Sequence, residues 1–111
     1  MQQLTMKYYQ EMAVLTAICP SRFAVIYPAM GLANEAGEVV GKIKKVLRDN
    51  DGKLTPEHRE KILDEMGDVL WYLVVLAKDL NASLDEIAQA NLDKLWDRKE
   101  RGVIGGSGDN R

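Results

Sequence analysis

Over residues 62–80 the apolar side chains Ile62, Met66, Val69, Leu73, Leu76 and Leu80 recur in alternating steps of four and three. A strand has period two; this spacing lays one seam along a helix, the kind that packs in a bundle. A second row, Leu63, Leu70, Val74 and Ala77, follows another side of the same helix. A helix apolar over most of its circumference must be covered over most of it. The chain has 111 residues, near the commonest size for one domain, so its other helices can cover this one only in part. The pattern predicts an all-α single domain over residues 1–111. It is a four-helix bundle that assembles with copies of itself as a homodimer or homotetramer.

The remaining helices follow from local signals. The first is expected over residues 3–18, ending where Pro20 turns Cys19 away from helical geometry. The second starts near Pro28, a residue tolerated in a first turn, and runs to about Arg48. The stretch "RDNDGK" is a cluster of turn formers. Thr55, Pro56 and Glu57 then give the third helix an N-cap hydroxyl, a proline and an acid in its first turn, and it continues to Leu80. Ser83 and Glu86 make a capping box for the fourth helix, which ends before Gly102. The tail "GVIGGSGDNR", residues 102–111, reads as mobile without a ligand and can fold over one.

Composition removes several function classes. Fifteen basic and seventeen acidic residues interleave to a net charge of −2, which leaves no electrostatic footprint for duplex nucleic acid. Cys19 is the lone cysteine and His58 the lone histidine, so neither a disulfide framework nor a thiolate zinc site is available. The longest apolar run, residues 69–77, is about half the roughly 20 residues that cross a bilayer. No basic segment followed by an apolar run opens the chain as a secretory signal does. The expected compartment is the cytoplasm, with no membrane partner.

The acids carry the chemistry. Glu35 and Glu38 stand one turn apart in "LANEAGEVVGKIKK", and Glu65 and Asp68 repeat that spacing in "DEMGDVLWYL". Each pair has a glycine, Gly37 or Gly67, just before its second acid. Glycine costs about 1 kcal/mol relative to alanine inside a helix, and close approach of a backbone or ligand is one reason to keep it. One such pair alone is usually a solvated face. Two of them, on helices that can pack antiparallel, can converge. Four ionised carboxylates would then repel one another, and a hard divalent cation, Mg²⁺ or Mn²⁺, removes the problem. Such an ion with open positions most often serves phosphates.

Together "GLANEAGEVVGKIKKVLRD", "ILDEMGDVLWYL", "SLDEIAQANLDKLWDRKERG" and "GGSGDNR" resemble the MazG-like nucleotide pyrophosphohydrolases of the all-α NTP pyrophosphohydrolase superfamily. The resemblance covers residues 31–111 in the family's order. Its motif, E-E-x-x-E followed by E-x-x-D, falls on Glu35 and Glu38 and on Glu65 and Asp68, with Asn34 in place of the first acid. It implies that these four acids hold Mg²⁺ and carry catalysis. The implied reaction cleaves a nucleoside triphosphate between its α- and β-phosphates, giving a nucleoside monophosphate and pyrophosphate. Phosphoribosyl-ATP pyrophosphatase shares fold and chemistry and is the nearest rival. A helical regulatory module without turnover is the alternative that Asn34 supports.

Other residues are candidates for the substrate. Tyr72 lies one turn after Asp68 and can donate to a phosphate oxygen or simply edge the core. Asn91 interrupts the apolar stripe of the fourth helix, and Lys94 and Arg98 share its side. In the family the matching Asn and Lys are expected on phosphates, with Arg98 beside them. Lys42, one turn after Glu38, can pair with it or reach a phosphate. Trp71, Trp96, Tyr8, Tyr9 and Tyr27 can stack on a base, though aromatics at helical spacing more often belong to a core.

Overall fold

The computed structural model describes residues 3–111 and is all-helical, with no strand among them. Helix α1 spans Met6–Val14, α2 Ile26–Asn50, α3 Pro56–Asp79 and α4 Leu84–Glu100, with one turn of 3-10 helix at Ser21–Phe23. Among the described residues no helix is long and apolar enough to cross a membrane.

Helix α1 is shorter than residues 3–18. The Thr5 hydroxyl caps its start by accepting from the Tyr8 amide at 3.1 Å. At its far end the Thr16 hydroxyl donates to the Ala13 carbonyl at 2.7 Å, and the Thr16 and Ala17 amides reach back three residues instead of four. A side chain that competes for a helix carbonyl favours this kind of ending. Helix α2 begins two residues before Pro28. Its N-cap, Val25, has φ +69° and ψ −54°, and the Ile26 amide donates to the Ala24 carbonyl at 2.8 Å. That is a strained three-residue turn for a β-branched residue. The Asp79 carboxylate holds it by accepting from the Val25 amide at 2.8 Å.

The two later helix starts match their sequence signals. Thr55 and His58 form the capping box of α3, and Ser83 and Glu86 that of α4. The turn between α3 and α4 is pinned to α1 by one side chain. Gln10 Nε2 donates to the Ala82 carbonyl at 3.1 Å, and Gln10 Oε1 accepts from the Leu84 amide at 2.9 Å.

Packing is uneven. Helices α2 and α3 form a long antiparallel hairpin, while α1 sits across α3 and α4 runs against α1, with no comparable contact to α2 or α3. The core is small: Ala13, Val74 and Leu84, with Tyr9, Val14, Trp71 and Leu73 against them. Only Val74, Val75 and Ala77 of α3 are buried. Met66, Leu70 and Leu80 from the two rows read as its core are 51, 41 and 59% exposed.

The dimensions agree. The radius of gyration is 17.0 Å, against about 13 Å for a compact domain of this length. The accessible surface is 8415 Å², against roughly 6,200 Å² for a folded monomer of this mass. One chain does not cover its own apolar surface.

Candidate metal and nucleotide site

On the facing sides of the α2–α3 hairpin, Glu35, Glu65 and Asp68 each bring a carboxylate oxygen within 4.8 Å of the others. Glu38 lies one turn beyond Glu35, exposed and outside this trio. Asn34, where the motif has an acid, is also exposed.

Repulsion in the trio leaves a mark. The Glu35 carboxyl is raised above its ordinary range, first by lost hydration, then by a hydrogen bond with Glu65 and by the charges of Asp68, Glu65 and Glu38. Lost hydration and neighbouring acids both disfavour its ionised form, and a cation among them would relieve both. The nearest cation is Lys42, whose Nζ stands 4.0 Å from Glu65 Oε1. It faces Glu65 across the hairpin, where the sequence pairs it with Glu38. Three oxygens at these separations, without sulfur or imidazole, suit a hard divalent cation that keeps some waters.

Two tyrosines border the acids. Tyr9, from α1, has its phenol raised by burial first and then by the charge of Asp68. In the sequence Tyr9 is only a base-stacking candidate, since nothing local shows that α1 crosses α3 beside Asp68. Tyr72 is raised by burial first, then by Tyr27, Glu35 and Cys19. It meets Trp71 edge to face, with ring centroids 4.9 Å apart. Its ring also lies so close over Gly31 that a Cβ there would come within 2.1–2.5 Å of three ring carbons.

The close approach expected at Gly37 and Gly67 is therefore at Gly31. A Cβ at Gly37 or Gly67 meets nothing within 4 Å. Gly67 instead lines an open apolar groove of about 620 Å³ with Ala36, Val39, Met66, Val69, Leu70 and Leu73.

The fourth-helix candidates stand elsewhere. Asn91 and Lys94 are exposed on α4, which packs on α1 and does not run along the hairpin. Arg98 is buried, and its Nη2 donates to the Asp109 carbonyl at 2.7 Å. The tail closes back on itself through Arg111, whose guanidinium donates to the Val103, Gly108 and Ile104 carbonyls. Within one chain the structure brings Glu35, Glu65, Asp68, Tyr72 and Lys42 together, and leaves Asn91, Lys94 and Arg98 apart from them.

An antiparallel helical hairpin with three acids across its seam can hold a hard divalent cation. The family model for the MazG nucleotide pyrophosphohydrolase domain matches residues 28–103, and the chain belongs to that family. It is also 50% identical over 109 residues to the Gene 37 protein of Mycobacterium phage L5, an alignment covering 93% of this chain and 96% of that protein. No solved structure matches.

Proposed function

We propose that the chain hydrolyses (deoxy)nucleoside triphosphates between the α- and β-phosphates, with Mg²⁺, as a house-cleaning enzyme of the cytoplasmic nucleotide pool. The observation that carries this reading is the trio Glu35, Glu65 and Asp68, three carboxylates within 4.8 Å of one another across two helices. These acids would hold Mg²⁺, or Mn²⁺ in its place, with Glu38 one turn away as a further carboxylate. The ion would supply charge neutralisation at the phosphate oxygens and a more acidic water.

In the reaction a water oxygen bonds to the α-phosphorus, and the bridging oxygen leaves on pyrophosphate with its electron pair. A carboxylate of the cluster takes the water's proton. The Tyr72 hydroxyl, near Glu35, would donate to a phosphate oxygen. Asn91 and Lys94 do not overlie the acids of their own chain, so they would reach the substrate from a second subunit.

A homodimer or homotetramer accounts for the unburied surface. The excess over a compact monomer is about 2,000 Å² per chain, on the scale of obligate homodimer interfaces. Pyrophosphate release measured across nucleoside triphosphates and phosphoribosyl-ATP, with and without Mg²⁺, tests the reading. Release from a nucleoside triphosphate only with the metal is the expected result. Release from phosphoribosyl-ATP alone would move the chain to the rival enzyme, and no release at all would make it a non-catalytic module.

A further inference from the structure

Toward the loop that joins α2 to α3, beyond the acids, the hairpin leaves a polar cleft of about 190 Å³ lined by Lys42, Lys45, Asp49, His58 and Lys61. Three ammonium groups face one carboxylate there, an arrangement that attracts an anion. That carboxylate is already engaged. Arg48 donates from Nε and Nη2 to the two Asp49 oxygens at 2.7 and 2.8 Å, and these bonds hold the Asp49 carboxyl below its usual range.

Lys61 has a partner in Glu57 at 3.1 Å, but the two side chains are 57 and 77% exposed. Such a pair is worth about 0–1 kcal/mol, so an anion with several oxygens can compete for the ammonium. His58 adds an imidazole N–H donor. Its Nδ1 accepts from the Thr55 amide at 3.2 Å, which puts the imidazole proton on Nε2.

The cleft adjoins the acid trio through Lys42 and Glu65. Lys42 and Lys45 follow Glu38 by four and seven residues on α2, and Lys61 precedes Glu65 by four on α3. At 1.5 Å per residue Lys61 lies about 6 Å along the axis from Glu65, and Lys45 stands about 4.5 Å beyond Lys42, which itself faces Glu65. An extended triphosphate with one end at the acids would lay its other end among them.

We propose that this cleft is the leaving-group subsite. It takes the β- and γ-phosphates of the substrate, and afterwards the pyrophosphate product, while the α-phosphate lies at the acid trio. This rests on the hydrolase reading for the orientation of substrate, though not for the binding of pyrophosphate itself. Negative charge grows on the leaving oxygens as the α–β bond breaks, and fixed cations there stabilise the transition state more than the bound substrate. The nucleoside monophosphate product has no group that reaches the lysines.

The test is calorimetric titration of inorganic pyrophosphate and of a nucleoside monophosphate into the parent and into Lys45→Gln/Lys61→Gln, at fixed ionic strength, alongside pyrophosphate-release activity. Both lysines are exposed, so the double variant should fold with the parental melting temperature and keep the parental thermal shift with Mg²⁺. The subsite requires a loss of about tenfold or more in pyrophosphate affinity, with monophosphate affinity unchanged. Parental pyrophosphate affinity in the double variant, or equal weakening of both ligands, overturns it. If the parent hydrolyses no nucleotide yet binds pyrophosphate through these lysines, the anion site stands and the hydrolase reading falls. If it hydrolyses while the lysines prove irrelevant, the subsite alone falls.

Discussion

Glu35 turns the repulsion in the site into something measurable. Its carboxyl is raised from an ordinary value of 4.5 by lost hydration, the Glu65 hydrogen bond and neighbouring acids, so the native state binds this proton more tightly than the unfolded chain does. As pH rises from that value through the raised one, the unfolded chain gives up its proton first and native stability falls. The metal-free melting temperature should therefore drop over this window, and Glu35→Gln should flatten the drop. Mg²⁺ binds the deprotonated native site and should restore stability by mass action. A second residue, Gly31, answers to steric contact. Gly31→Ala drives a methyl into the Tyr72 ring and should cost about 1–3 kcal/mol by overpacking. Gly37→Ala meets open space and should be neutral or stabilising by up to about 1 kcal/mol. Urea unfolding of the two variants checks the contrast. Glu35, Glu65 and Asp68 could be picked out in the sequence because each belongs to an acid pair within one helical turn, but that Glu38 stays outside their cluster could not. Nor could the importance of Gly31, since it depends on a tyrosine 41 residues away.

Among the elements, the starts of α3 and α4 could be read because a cap is a local device: a hydroxyl and a partner three residues on settle it. The start of α2 could not, because it is fixed by Asp79, 54 residues downstream of Val25. The strained turn at Val25 persists only while that carboxylate holds its amide. Asp79→Ala should cost about 0.5–1.5 kcal/mol, the net worth of a solvent-exposed hydrogen bond. Amide exchange at Ile26 and Tyr27 should quicken well before that at Val46. Unchanged stability and exchange would mean that α2 needs no such anchor. The end of α1 escaped sequence reading for a related reason. Thr16 ends the helix with its own hydroxyl, which is in turn held by Trp71 Nε1 at 2.8 Å.

For the whole molecule, the apolar rows of α3 revealed a surface needing cover, and the structure shows how much stays open. Leu63, Met66 and Leu70 are 42, 51 and 41% exposed, beside a groove of about 620 Å³. Large apolar side chains left open along one helix face fit a surface that a second copy covers. Light scattering should give a mass that is a multiple of 12.5 kDa, and Leu70→Lys should shift it toward the monomer. A stable parental monomer at micromolar concentration would refute the assembly. Where Asn91, Lys94 and Arg98 lie was the least legible feature in the sequence. Spacing puts three residues on one side of a helix, but only packing decides what that side meets. Here Arg98 is turned to the tail and α4 to α1.

Whether the acid trio holds the metal that the proposed hydrolysis needs is tested most directly by an Mg²⁺ titration of pyrophosphate release. The parent, Glu65→Gln and the exposed control Glu57→Gln should be compared on one triphosphate. Glu65→Gln should lose roughly 10²-fold or more in turnover and require more Mg²⁺, on the scale of weakening a metal site, while Glu57→Gln should match the parent. Turnover by Glu65→Gln at the parental rate, with the parental Mg²⁺ dependence, would contradict the account.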